Sequence, residues 1–550
     1  MAILDWIVLG LFCVGLIGII VWVLQKKEET STDYFLAGRD ATWLAIGSSI
    51  FASNIGSEHL VGLAGAGASS GMAMAHWEMH GWIILILGWF FVPFYSRSKV
   101  FTMPEFLEKR YNKESRSFLS IISLVSYVLT KVAVTVYAGG IVFKEVFGIE
   151  SIFGIDFFWI SAIGLVLLTG IYTTLGGMRA VLFTSVLQTP VLLVGSLTIL
   201  ALGLIKLGGW SEMMEICRAV PVNEAGDTMT NLIRSHTDPV FPWTGVILGS
   251  AIIGFWYWCT DQYIVQRVLS GRNQTESRRG AILGAGFKLS PVFIFLIPGM
   301  IAYAMNQKGM ITLTDSDAAF PTLVKELLPV GFTGLVVGGI LAALMSSLAS
   351  LFNSSATLFT VDFYKKYKPD APEKELVRVG RIATVVVVIL GILWIPVMKG
   401  IGKVLYAYLQ DVQSMLAPGI AAVFLLGVLS KKTTPKAGFY GLVAGFILGM
   451  TRLGFVVFGG NLSQDSIFHK LFLAPNWLHY EIVIFFIVIA LMIVTSFFTP
   501  KANPAAIRGL YFGSATPEEK AVTRASWNNW DLFFSGLIIV VIIAFYIYFW

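Results

Sequence analysis

Residues 49–71 read SIFASNIGSEHLVGLAGAGASSG. The stretch lies in a segment apolar enough to span a bilayer, yet Ser53, Asn54, Ser57, Glu58 and His59 interrupt it. Gly56, Gly62, Gly65 and Gly67 loosen its backbone. Polar groups left unpaired at membrane depth cost several kcal/mol, and irregular backbone persists there only against protein or a watery cavity. A spanning helix broken midway is one way to turn carbonyls toward a cation. Small residues also serve helix packing. Packing alone does not require Asn, Glu and His so close together.

The rest of the chain fits a membrane setting. Of 550 residues, 56% are hydrophobic and only 13% charged. A soluble chain of this length would carry about twice that charged fraction. Apolar runs of roughly 20 residues recur from end to end, predicting an all-α polytopic membrane protein with about fourteen transmembrane helices. They fall near 3–24, 42–65, 76–96, 117–147, 157–174, 180–207, 243–266, 281–305, 330–364, 378–398, 402–430, 434–458, 480–499 and 530–550. No soluble block is long enough for a second domain, so 1–550 reads as one transmembrane domain. The first run lacks the basic start and small-residue cleavage site of a signal peptide and is expected to be retained. Cys13, Cys217 and Cys259 fit no metal spacing. The net charge of +6 reflects loop asymmetry and gives no reason to expect a nucleic-acid partner.

Lysine and arginine set the orientation. Lys26, Lys27 and Arg39 follow the first span. Arg97, Lys99, Lys109, Arg110, Lys113 and Arg116 follow the third, and Arg267, Arg272, Arg278 and Arg279 the seventh. The loop after the ninth adds Lys365, Lys366, Lys368 and Lys374. Alternate loops are poor in both residues. All the basic loops share one side if both termini lie outside. The longest outer segments, 208–242, 307–329 and 459–478, read as capping loops with short helices. Thr516, Pro517 and Glu519 announce a helix start inside.

Two patterns carry chemistry. In the ninth span Ala343, Ser346 and Ser347 stand at i, i+3 and i+4, on one helical face. A carbonyl and two hydroxyls make a neutral oxygen set, and hard cations take oxygen ligands. Carbonyls of Ala52 and Ile55, freed by the break, would complete about five ligands around a sodium ion. Small-residue packing is the competing reading. The second pattern is His59, Glu78, Lys288 and Gln410 within spans, with Tyr257 and Trp258 as flat faces. Directional hydrogen bonds plus stacking suit a polyhydroxylated ring. Glu78 and Lys288 equally fit a buried structural ion pair. Lys131, Asp261 and Asp411 need partners the sequence does not identify. His76 and His80 read as satisfied or outward-facing, and Arg452 as snorkelling. No nucleophile–base or metal constellation suggests an enzyme. The seventh span, interrupted at 254–261, mirrors the broken second, which points to an inverted-repeat transporter with its site at the midplane.

At these residues the chain resembles the solute:sodium symporter family, and within it the sodium/glucose cotransporters. The matching stretches are ASNIGSEHLVGLAGAGA at 52–68, YWCTDQYIVQRVLSGRN at 257–273 and ALMSSLASLFNSSATLFTVDFY at 343–364. Shorter echoes are DYFLAGRD at 33–40, YTTLGGMRAVLFTSVLQT at 172–189 and YLQDVQSMLAPGIAAVFLLG at 408–427. The resemblance implies a leucine-transporter-type core of two inverted five-helix repeats with discontinuous helices, over 42–207 and 243–430. Residues 1–41 and 431–550 would be peripheral. It places sodium at Ala52, Ile55, Ala343, Ser346 and Ser347. It places the sugar at Asn54, His59, Glu78, Lys288 and Gln410, with Tyr257 as platform and inner gate beside Trp258. The outer gate would be Leu63, Trp77 and Tyr406, where Trp77 replaces the usual Phe or Tyr. Two-sodium members carry an Asp and a hydroxyl residue where this chain has Ser185 and Ala349. The implied activity is import of a neutral monosaccharide, glucose or galactose, with one sodium ion across a cell membrane. The alternatives are another solute (myo-inositol, a sialic acid, an amino acid) or a sodium- or sugar-gated sensor that does not transport.

Overall fold

The computed structural model describes residues 1–550 apart from 27, 28, 57, 402–404 and 461, and only the backbone of 397–401 and 405–411. The side chains of Tyr406, Gln410 and Asp411 lie outside the described residues. Among the described residues the regular structure is helical apart from one short antiparallel hairpin, in which Ser151–Ile152 pairs with Ile155–Asp156. Among the described residues, eleven helices are long and apolar enough to cross a membrane. The sequence predicts about fourteen spans. The difference has local causes. The second and seventh runs are broken into shorter pieces. The fifth and sixth form one 51-residue helix, Phe157–Leu207.

That long helix is folded on itself at Gly177, whose φ of 47° and ψ of −144° are not helical. This region of the backbone map is essentially closed to side chains. A Cβ there would also run into the Tyr34 carbonyl. Gly177→Ala should therefore destabilise the protein by about 2 kcal/mol or more. Thermal unfolding of purified protein in detergent should show the loss as a lowered midpoint; an unchanged midpoint would contradict the geometry.

Burial follows residue character. Ile3–Leu24 is apolar on all sides, as a membrane-facing helix must be. Leu9, Phe12, Leu16 and Val23 face the protein, while Leu11, Val14 and Ile17 lie on the outside. Its Asp5 accepts from the amides of Gly331 and Gly334 at 2.7 and 3.1 Å, capping Phe332–Thr357. Phe332–Thr357 is rich in Gly, Ala and Ser and is buried along almost its whole length. Small residues let it approach Phe157–Leu207 closely: a Cβ on Gly339 would lie 3.2 Å from Leu192 Cα. These two helices make the most extensive pairing in the molecule.

The two broken helices position the site. Trp43–Asn54 stops at Ile55, which turns extended at φ −80° and ψ 111°. The chain restarts in a widened turn, Glu58–Leu63, and continues as Ala64–Ser69. Likewise Trp243–Phe255 widens at Trp256–Thr260, breaks at Asp261 and restarts as Gln262–Leu269. Asp261 caps the new helix by accepting from the Tyr263 amide at 3.3 Å. Pro517–Ala525 begins with the predicted capping box of Thr516 and Glu519.

Candidate functional site

A cavity of about 70 Å³ opens between the two breaks. Asn54, His59, Glu78, Tyr257, Trp258 and Lys288 line it together, and Trp77 lines it too. Six of the seven residues assigned to a substrate from sequence thus meet at one place; the seventh, Gln410, is outside the described side chains. Lys288 Nζ donates to Glu78 Oε2 at 2.5 Å. His59 Nε2 lies 3.6 Å from Glu78 Oε1 and 3.4 Å from Asn54 Nδ2. The Lys288 ammonium also sits 5.4 Å above the Trp258 ring. Tyr257 and Trp258 meet edge to face, with centroids 4.8 Å apart. All these polar side chains are buried. The result is a buried set of donors and acceptors, flanked by aromatic faces, in which the Glu78 and Lys288 charges are paired.

Beneath it lies a second buried pair. Lys131 donates to Asp261 at 2.7 Å, and Asp261 also accepts from Tyr127. The ammonium is caged by the rings of Tyr127, Trp256, Tyr257 and Tyr263 at 4.8 to 5.3 Å. This supplies the partners that Lys131 and Asp261 require. It also places a fixed ion pair directly behind the Tyr257 ring.

The proposed sodium ligands lie where Trp43–Asn54 ends against Phe332–Thr357. Ala52, Ile55, Ala343, Ser346 and Ser347 are all buried. A helix end leaves carbonyls without intrahelical partners. One of them, Ser53 O, accepts from Tyr263, whose hydroxyl is also 3.1 Å from Ser347 Oγ. Ser53 Oγ meets Ser350 Oγ at 2.7 Å. Ser346 Oγ lies 3.3 Å from Ser185 Oγ, and Ser185 donates to Val181 O at 2.7 Å. The fully buried Arg267 donates to Ser53 Oγ at 2.7 Å and to Ser49 Oγ at 3.2 Å. The broken helix, the serine helix and the half-helix Gln262–Leu269 are therefore tied by one hydrogen-bond network. Ala349, buried in the serine helix, contributes no side-chain oxygen.

Several sequence expectations need revision. His76 is satisfied as expected, by the Tyr546 hydroxyl at 2.8 Å and Leu232 O at 2.9 Å. His80 is not outward-facing: it lines the cavity, and its Nε2 has no partner among the described residues. Gln413 also lines the cavity, one turn beyond Gln410 on the same helical face, and its phase would have given it away. Glu58 joins the lining too. Leu63 is buried one turn beyond His59 but is not part of the lining. Arg452 does not snorkel; it donates to Pro475 O at 3.0 Å and lies over the Tyr480 ring. Arg110, Arg267 and Arg278 are not solvated loop charges but among the largest fully buried side chains.

The described residues thus form membrane-length helices around a buried polar cavity. Among solved structures, one similar chain is a Na+-coupled sialic acid symporter in a substrate-bound outward-open state. It superposes with a TM-score of 0.74 at 21% identity, over 91% of this chain and 99% of that one. Mhp1, a nucleobase-cation-symport-1 family transporter, gives 0.52 at 14% identity over 88% and 99%. These likenesses show the fold, a leucine-transporter-type core. The model of the sodium:solute symporter family matches residues 34–445. Sodium/glucose cotransporter 1 of Mus musculus is 35% identical over 528 residues, 90% of this chain and 78% of its own. Sodium/myo-inositol cotransporter 2 of Homo sapiens is 37% identical over 476 residues, 82% and 69%. The chain belongs to the sodium:solute symporter family. It is a multi-pass membrane protein that couples the movement of a small solute to sodium.

Proposed function

We propose that the solute is a neutral monosaccharide, glucose or galactose, imported by alternating access. The observation that carries this is the paired charge of Glu78 and Lys288 inside an aromatic-walled cavity. Their charges cancel, while His59, Asn54, His80 and Gln413 add hydrogen-bonding capacity around them. Hydroxyls exploit such groups in both directions. A carboxylate solute would need an uncompensated cation, and Glu58 at the rim works against it. Similarity to both glucose and myo-inositol cotransporters supports a second reading, a cyclic polyol such as myo-inositol, which the same groups would hold.

In this reading sodium binds Ala52, Ile55, Ala343, Ser346 and Ser347 and holds the broken second span against the serine helix. Tyr257 and Trp258 carry the ring, and Tyr257 is the inner gate. Leu63, Trp77 and Tyr406 form the outer gate. The repeats are 42–207 and 243–430, each opening with a broken helix, and both termini lie outside. Sodium-gradient uptake of labelled sugars, inositols, amino acids and sialic acid into proteoliposomes tests the assignment. Accumulation of a hexose or inositol is expected. Accumulation only of an amino acid or sialic acid would overturn it.

Stoichiometry follows from the same residues. Ser185 and Ala349 offer no carboxylate to a second sodium ion, and the fixed Arg267 cation stands nearby on Ser53. Omitting a carboxylate about 4 Å away forgoes about 4 kcal/mol at an effective dielectric near 20. One sodium should move per solute, with a Hill coefficient near one. At about −100 mV that single charge supplies ~2.3 kcal/mol. Reversal potentials across imposed gradients decide the ratio, and a value of two would refute it.

A further inference from the structure

The cavity's roof is braced from outside the paired repeats. Trp77, which lines the cavity, stacks on Trp477 with centroids 5.9 Å apart and planes 18° apart. Phe241 meets Trp77 edge-on at 6.0 Å. Trp77 Nε1 is buried with no hydrogen-bond partner among the described residues, so aromatic contact holds this indole. Trp477 opens the helix Trp477–Phe498. The start of that helix is fastened to the half-helix Trp243–Phe255 and to the residues leading into it. Asn476 Nδ2 donates to the carbonyls of Pro239 and Val240 at 2.8 and 3.2 Å. His479 Nε2 lies 2.8 Å from Thr244 Oγ1. Leu478 packs so closely that a Cβ on Gly245 would lie 2.8 Å from Leu478 Cβ. Trp477 is thereby tied to the helix Trp243–Phe255, whose Ile253 and Gly254 line the cavity.

We infer that Trp477 is a specificity-determining positioning residue: stacked behind Trp77, it sets the height of the roof over the bound solute. This rests on the proposed sugar or polyol pocket. A stiff indole pair limits how far substituents on the ring's outer edge reach, whereas a lone Trp77 can tilt. The same brace links the helix 477–498 to outer-gate closure.

The test uses the full-length protein in proteoliposomes, comparing wild type, Trp477→Ala and Trp477→Phe. The probes are the transported hexose or inositol and its O-methyl derivative. In Trp477→Ala, the KM for the parent solute should rise about threefold to tenfold, the range of an aromatic pair. The KM gap between parent and O-methyl derivative should narrow, the sodium half-saturation should hold, and Trp477→Phe should restore both values. A fall in Vmax alone, or a KM shift that Phe does not rescue, would overturn the inference. Amide exchange over 71–80, measured in sodium without solute, separates it from the substrate assignment. Faster exchange in Trp477→Ala than in Trp477→Phe supports the brace even if no hexose or inositol is carried; equal exchange overturns it.

Discussion

Lys288→Met should abolish uptake and lower stability by about 3–5 kcal/mol, because it leaves the Glu78 carboxylate buried without its cation. The 2.5 Å contact and the burial of both side chains make this one of the largest effects a single substitution can have here. His59, 3.6 Å from the other Glu78 oxygen, is too distant for a good hydrogen bond to replace it. The double variant Glu78→Gln, Lys288→Met separates two roles. With both charges gone, the desolvation penalty disappears and folded protein should return, since neutral replacement of a buried pair is often tolerated. Uptake should not return if these groups touch the solute. Each lost hydrogen bond to a hydroxyl costs roughly 1–3 kcal/mol, about tenfold to a hundredfold in affinity. Thermal unfolding reads the first effect, and sodium-driven uptake the second. A folded double variant with wild-type uptake would make the pair purely structural.

Ser346→Ala should raise the sodium half-saturation of uptake by about tenfold to a hundredfold, taking a lost hydroxyl ligand as comparable to a lost buried hydrogen bond. Ser346 is a cleaner probe than Ser347. Removing the Ser347 hydroxyl also disturbs Tyr263 and, through it, the end of the broken helix. Ser346 Oγ meets only Ser185 Oγ among the described hydrogen bonds, at 3.3 Å. Ser185→Ala is therefore the matched control and should shift sodium dependence far less. Uptake measured against sodium concentration with the other cation held constant gives both values. An unchanged sodium curve in Ser346→Ala would move the ion elsewhere.

The parts of this molecule that were readable in sequence are those encoded locally. The break after Asn54 shows as polar and glycine residues inside an apolar run, and the face shared by Ala343, Ser346 and Ser347 shows as helical spacing. Pairings between distant segments were not readable. Lys131 and Asp261 stand 130 residues apart, and nothing in either neighbourhood names the other. The arginines misled for a related reason. Arg110 lies in a basic loop by composition, yet it donates to the carbonyls of Gly427 and Ser430 at 2.6 Å each, closing the end of Leu405–Leu429. A charge count cannot distinguish a solvated loop from a guanidinium that caps someone else's helix. Trp477 escaped notice because one aromatic at a helix start is ordinary until its partner is known.

The fold at Gly177 leaves no loop between the two arms of Phe157–Leu207. By contrast, several residues separate Phe332–Tyr367 from Glu373–Pro396. Here one backbone joint carries the whole turn, so the arms behave as a bell crank with almost no backlash. The first arm packs against the helix Glu373–Ile401, with Gly170 against Val388. The second lies along the serine helix, with Gly195 against Val336. Rotation of one arm is delivered to the other without delay, and spectroscopic labels on 157–176 and 178–207 should report a single rate for the transport stroke.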